Sequence, residues 1–200
     1  MHSGKDKNRT RKILFTLLVL FVLASSIIGF TFSPAINNSS GGSGEFKYNG
    51  VKVYQAENGL FAEVAGKAIG FTYFPEELGE TETGSIASAI SSARVVYLTS
   101  DAGSAEASSI SAAEFDISRA LESTKNSFVE VAFTGENDFG KSAVTCADAS
   151  PSVPVLFFNF TNSTSGLSES SGCFVINFES GRALAKARDK IVYQLIGAIK

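Results

Sequence analysis

Residues Gly135-Glu136-Asn137-Asp138-Phe139-Gly140-Lys141-Ser142 carry the spacing G-x-x-x-x-G-K-S. In nucleotide hydrolases such a loop wraps phosphates with backbone N–H groups, while its Lys and hydroxyl serve the terminal phosphate and a magnesium ion. That chemistry requires the loop to open a helix, whose N-terminus favours negative charge. Here Ala143-Val144-Thr145-Cys146 has strand character and Pro151 follows soon after. Glu136 and Asp138 also put negative charge where phosphate would sit. The expectation is a solvated turn between strands.

Histidine chemistry is closed to most of the chain, because the only histidine is His2. A Ser-His-Asp or Cys-His centre therefore cannot form further along. Nor can a zinc site that uses histidine. Carboxylates remain. Glu76, Glu77, Glu80 and Glu82 cluster after Pro75, in a segment suited to solvation and without EF-hand spacing. Asp101 follows a β-branched run, where an α/β active site is often placed, and Asp148 precedes a Pro-containing turn. Both suit turn or capping chemistry as well. Ser85, Ser88, Ser91 and Ser92 have no base near them in sequence. No cofactor and no metal ligand set is expected, and no catalytic residue can be assigned.

Cys146 and Cys173 are the only cysteines. In an exported domain two cysteines favour one disulfide, and closing a loop of that length contributes about 3.5 kcal/mol in the chain-entropy model. The alternative is a pair of buried thiols acting as small apolar groups. Asn37, Asn38, Asn159 and Asn162 each begin an N-x-S/T triplet, an acceptor for glycosylation where the host performs it.

What must position these residues begins with a membrane segment. Residues 13–32 read ILFTLLVLFVLASSIIGFTF, without a charge. At 1.5 Å per residue, roughly 20 residues span a hydrocarbon core of about 30 Å. Residues 1–12 form a basic tail with Lys5, Lys7, Arg9, Arg11 and Lys12 against Asp6 alone, which keeps the N-terminus cytoplasmic. Ala24, Ser25 and Ser26 offer a cleavage site for a signal peptide, but the apolar run continues past the length of a signal core. The expectation is a retained single-pass anchor in the lipid bilayer. Residues 33–44, SPAINNSSGGSG, are a flexible linker, and residues 45–200 an exported globular domain. The whole chain has net charge -3; with the tail removed, 12 basic residues face 19 acidic ones. That acidity argues against nucleic acid as a partner.

Within the outer domain, Glu45–Phe74 reads as a β-meander. Asn49-Gly50 and Asn58-Gly59 signal tight hairpins, Ala65-Gly66 suggests a third turn, and Pro75 stops the last strand. Gly84–Ser92 suggests a short helix with Ile86 and Ile90 on one face, and Arg94–Thr99 a buried strand. Ala105–Ser123 has helical spacing through Ile110, Ala113, Ile117, Ala120 and Leu121. Phe128–Phe133, Ala143–Ala147, Val153–Phe160 and Cys173–Phe178 read as strands. A C-terminal helix over Arg182–Ile199 carries Leu184, Ala187, Ile191, Leu195 and Ile199 on its stripe, with Lys186, Arg188, Asp189 and Lys190 on the other face. The fold class is α+β or α/β, a meander followed by alternating helices and strands and a C-terminal packing helix, with one N-terminal transmembrane helix.

The segments Phe46-Lys47-Tyr48-Asn49-Gly50, Ala143-Val144-Thr145-Cys146-Ala147-Asp148, Gly172-Cys173-Phe174-Val175-Ile176 and Arg188-Asp189-Lys190-Ile191-Val192-Tyr193, with Gly197-Ala198-Ile199, resemble an uncharacterised group of small archaeal proteins with one N-terminal membrane helix. The resemblance implies anchoring and an exported domain, and supplies no activity. Many members carry a further cysteine pair in the stretch matching Ala132 to Gly140; this chain has none there. The function expected is a binding, accessory or scaffolding role at the cell envelope, with an envelope protein as partner. The alternative is an envelope enzyme using carboxylate or serine chemistry without histidine.

Overall fold

A computed structural model describes residues 44–57 and 59–200. The basic tail, the apolar segment 13–32, the linker up to residue 43, and Asn37 and Asn38 lie outside the described residues. Among the described residues, no helix is long and apolar enough to cross a membrane.

The meander forms as expected. Strands β1 (Glu45–Tyr48), β2 (Val51–Ala56), β3 (Gly59–Val64) and β4 (Lys67–Phe71) pair antiparallel in chain order. Asn49 and Gly50 both take positive φ, as do Ala65 and Gly66, the conformation that two-residue hairpin turns require. At the middle hairpin Ala56 pairs with Gly59, so Gly59 already belongs to β3 rather than to the turn. The expected strand to Phe74 stops at Phe71. The N–H groups of Thr72 and Tyr73 donate to the Asp189 carboxylate at 2.8 Å each instead of to a neighbouring strand.

The rest of the chain builds a five-stranded sheet with three helices. Helix α1 (Ile86–Ser92) precedes β5 (Val95–Ser100), and α2 (Ala107–Thr124) precedes β6 (Phe128–Phe133). Strands β7 (Val155–Phe160), β8 (Gly166–Ser170) and β9 (Cys173–Phe178) lead to α3 (Gly181–Leu195). The sheet order is β6-β5-β7-β9-β8, with β8 alone antiparallel. The apolar stripe read for α2 is buried in full, and α1 buries Ile86 and Ile90.

Two further expected elements differ. Ala143–Ala147 is not a strand: Ala143 makes one parallel bridge to Phe133, and Cys146–Asp148 is a 3-10 turn capped by Thr145. The C-terminal helix ends at Leu195, because Gly197 at φ +78° directs its own N–H to Gln194 O and the Ala198 N–H to Tyr193 O. Those two bonds are the Schellman closure.

One core joins both sheets. Val53, Leu60, Ala62, Ile69 and Phe71 of the meander, the inner faces of the helices, and Val96, Leu98, Leu156, Phe158, Phe174, Ile176 and Phe178 of the larger sheet form a continuous buried cluster. The helices thus lie between two sheets. Phe71 stacks on Tyr193 of α3 with ring centres 3.9 Å apart. The opposite face of the larger sheet has a small cluster of its own, Ala132, Val144, Val155 and Cys173, with Tyr97, Ala149 and Val175 against it. Its cover is the chain from 134 to 154. This follows from strand order, since β5 leads through α2 to one neighbour while the return to its other neighbour crosses the opposite face when both crossovers are right-handed.

Candidate functional site

Residues 135–142 form a loop closed on itself by Asn137. Its Oδ1 accepts the N–H groups of Phe139 and Lys141 at 3.2 Å, and its Nδ2 donates to Gly135 O and Lys141 O. Two amides that a phosphate would need are therefore taken. Ser142 Oγ donates to Glu130 at 2.6 Å, and no helix follows the loop. The phosphate-loop spacing lacks the helix that its chemistry demands, and two of its amides are already bonded to Asn137.

The carboxylates fall into separate places. Asp101, exposed after β5, accepts Gly103 N–H at 2.9 Å in a local turn. Asp148 accepts Thr145 N–H at 2.8 Å and the Thr145 hydroxyl at 3.1 Å, completing a capping box. Glu76 accepts Tyr48 Oη, and Glu77 accepts Phe74 N–H. Ser85 donates to Glu169, and Ser88, Ser91 and Ser92 donate to backbone carbonyls three residues earlier. Asn159 lies within β7 and donates to Asn177 at 2.7 Å, whereas Asn162 is exposed in the turn after β7.

Of the acidic group, Glu80 and Glu82 line a cleft. It measures about 410 Å³ and lies between their loop, the β8–β9 hairpin and α3; Ser165, Asn177, Glu179 and Lys186 share its wall. A second cleft of about 360 Å³ flanks the same loop on its other side, near Lys190 and Gln194. Lys190 Nζ donates to Thr81 O at 2.6 Å, pinning the loop to α3. Asp101 and Asp148 line neither cleft. No group of three or more acidic, cysteine or histidine side chains among the described residues is arranged to hold a metal.

Two buried ionic groups lie where the sequence reading did not place them. Asp189, expected on the solvent face of α3, is fully buried. Besides Thr72 and Tyr73 N–H, it faces Arg188 Nε, 3.0 Å from its Oδ1 in an ion pair angled too poorly for a hydrogen bond. Arg188 continues to Asp116 of α2 and donates to Thr72 Oγ1 at 2.8 Å. Burial pushes the Asp189 carboxyl up to about 6, against the pull of Arg188 and the two N–H donors. Burial also raises Asp116, opposed by Arg188. The correction has a simple cause: the meander covers the helix face that the sequence assigned to water. Ala185, Asp189, Val192, Tyr193 and Ile196 form a second stripe that signals this.

The other group is Glu114, which interrupts the apolar stripe of α2 and is 5 % exposed. The one hydrogen-bond partner of its carboxylate is Ser100 Oγ at 3.5 Å, at the end of β5. Burial drives its carboxyl up to about 7 from 4.5, with Ser100 opposing weakly. A charged residue between Ile110 and Ile117 on one stripe was the available signal.

Cys146 and Cys173 are joined in a disulfide with Cα atoms 5.2 Å apart. It ties the 3-10 turn to the first residue of β9. Beside it, Gly172 sits at φ +88°, and a Cβ there would lie 2.4 Å from Ser150 O. Only glycine lets the two backbones cross this closely.

Together these features define an α+β domain with helices between a meander and a mostly parallel sheet, closed on its outer face by a disulfide-linked segment. Comparison with family models, curated proteins and solved structures returned no match to this chain.

Proposed function

We propose that the chain is a single-pass membrane-anchored protein, held in the bilayer through residues 13–32, whose C-terminal domain lies outside the cytoplasm and binds or scaffolds a protein partner at the cell envelope. The observation that carries this reading is the Cys146–Cys173 disulfide, since such bonds persist in oxidising compartments and are rare in the cytosol. The basic tail before an uncharged run of membrane-spanning length supports the same orientation. The resemblance to small anchored archaeal proteins agrees with it. The acidity beyond the tail disfavours nucleic acid.

A binding role is supported by how the carboxylates and serines are used. Most of them cap turns or hold loops, while Phe115, Phe128 and Phe139 stay more than 60 % exposed. Strand β6, which begins with Phe128, is an edge of its sheet. Edge strands and exposed aromatic groups are the usual means of protein docking.

A second reading, an envelope enzyme using carboxylate or serine chemistry, is favoured by Ser100 and Glu114. A carboxyl that titrates near neutrality beside a hydroxyl at the C-terminal end of a parallel strand suits proton transfer. Neither described cleft beside Glu80 and Glu82 reaches them.

The test is chemical crosslinking on intact cells, followed by purification of the full-length protein from membranes in detergent and mass spectrometry. The expected result is an unprocessed N-terminus, an oxidised cysteine pair and a stoichiometric envelope protein linked through residues 45–200. A protein recovered from the soluble fraction with both thiols reduced would overturn it.

A further inference from the structure

Residues 134–154 are the cover of the sheet face opposite the helices, and they hold to it thinly. To the buried cluster they contribute Val144 and Ala149, and the exposed Phe139 ring leans on Phe133 with ring centres 5.5 Å apart. Their polar ties to its strands are the Ala143 bridge to Phe133, Thr134 N–H to Ser100 O at 2.9 Å, Ser142 Oγ to Glu130 at 2.6 Å, Thr99 Oγ1 to Val144 O at 2.9 Å, and Tyr97 N–H to Pro154 O at 3.0 Å. The segment contains no regular strand or α-helix; its internal order comes from the Asn137-closed loop, the capped turn Cys146–Asp148 and one bridge between Ser150 and Val153. The one covalent tie is the disulfide. Its two ends differ: Cys146 is exposed, whereas Cys173 is 3 % exposed under the segment.

We propose that this disulfide fastens a redox-released strap: thiol–disulfide exchange at Cys146 frees residues 134–154 from the sheet and bares the face formed by Tyr97, Val155 and Val175, while the helix layer and meander stay folded. The co-reactant is a dithiol. One of its thiolates bonds to Cys146 Sγ, the Cys146–Cys173 bond breaks, and Cys173 leaves as a thiolate and takes a proton. The second thiol of the reductant then attacks its own sulfur in the mixed disulfide, releasing Cys146 and leaving the reductant oxidised. Two electrons and two protons pass to the domain. Exposure selects Cys146 as the sulfur attacked, because exchange depends on access. The large core on the other face includes none of the strap, so loss of the fastener leaves that core intact. The device needs only the two sulfurs and the strap, and it goes beyond the location proposed above.

Hydrogen exchange with mass spectrometry on the full-length protein in detergent tests it, with dithiothreitol as the dithiol. On reduction, the amides of Val144, Thr145, Ser150 and Val153 are expected to exchange at least about tenfold faster, reaching the rates of open chain, while those of α2, α3 and β2–β4 remain protected and speed up only by the shared loss of global stability. Reoxidation restores protection, and the double variant Cys146→Ser/Cys173→Ser shows the released pattern without reductant. Unchanged strap amides in both the reduced protein and the double variant would overturn the proposal. So would loss of protection that spreads through the helices, since the disulfide would then hold the whole domain. Mapping of the adduct formed with glutathione checks the direction of attack: a mixed disulfide on Cys146 supports it, and one on Cys173 refutes it.

Discussion

The two faces of the five-stranded sheet are stabilised by different physics. The inner face meets three helices, and through them the meander, and buries Leu98, Leu156, Phe158, Phe174 and Phe178 in a core that spans both sheets. The outer face buries four small or medium residues under a segment with little secondary structure, and adds a covalent bond. Burial of large side chains contributes about 1.5–3 kcal/mol each, so the inner face does not require a cross-link. The outer face holds too little apolar surface to order its cover alone. A disulfide acts there by restricting the unfolded chain rather than by adding contacts.

This contrast is most severely tested by Phe158→Ala. Removing a ring that is 1 % exposed at the centre of the inner core is expected to cost about 3–5 kcal/mol, read as a lower denaturation midpoint for all elements together. Asp189→Ala should come close, at about 3–5 kcal/mol, because it leaves two N–H donors without their acceptor and removes one of the two carboxylates paired with Arg188. If the midpoint barely moves, the ion cluster does not bind the meander to the helices. The pair Cys146→Ser/Cys173→Ser should cost about 3.5 kcal/mol at most, by closure of the 27-residue separation.

Glu114→Gln sharpens the comparison from inside the inner face. The folded state holds the Glu114 proton more tightly than the unfolded chain, with the carboxyl at about 7 against 4.5. Ionised Glu114 therefore lowers stability. That loss is absent below 4.5, grows between the two values and is complete above 7. The glutamine variant should be more stable than the parent by up to about 3 kcal/mol near about pH 8, and the gain should vanish in acid. A pH-independent difference between the two proteins would show that Glu114 is not held in this way. The smallest effect is expected for Val144→Ala on the outer face: about 1.5 kcal/mol, from two methyl groups at roughly 0.8 each, seen first as faster exchange in the strap.

The same contrast explains what could be read from the sequence. The inner face was legible because regular elements bury side chains at fixed periods. Ile110, Ala113, Ile117, Ala120 and Leu121 marked α2, and Phe128–Phe133 was placed without error. The meander was legible through its turns. The outer face was not, because its cover lacks a period. Ala143-Val144-Thr145-Cys146 has the composition of a strand, yet Ala143 alone pairs, and Asp148 draws the next residues into a capped turn. Strand β8 was missed because Ser168, Glu169 and Ser170 are exposed at a sheet edge and carry no apolar alternation. Asp189 was misplaced because helical spacing reveals that a face is polar, and not that a second layer covers it. Among the candidate site residues, the disulfide partners were within reach because two cysteines leave one pairing. The Ser100–Glu114 contact joins residues on different elements.

The end of β4 has a bearing on how such domains behave when crowded. Arg188 reaches Gly70 O at 3.5 Å, and Asp189 takes the next two N–H groups. Side chains from a helix thereby occupy main-chain positions that an incoming strand from another molecule would seek. At high concentration, a strand from a neighbouring copy would find this end of the sheet border, from Gly70 to Tyr73, already taken. The buried charge thus ends the pairing of β4 as well as joining it to the helix.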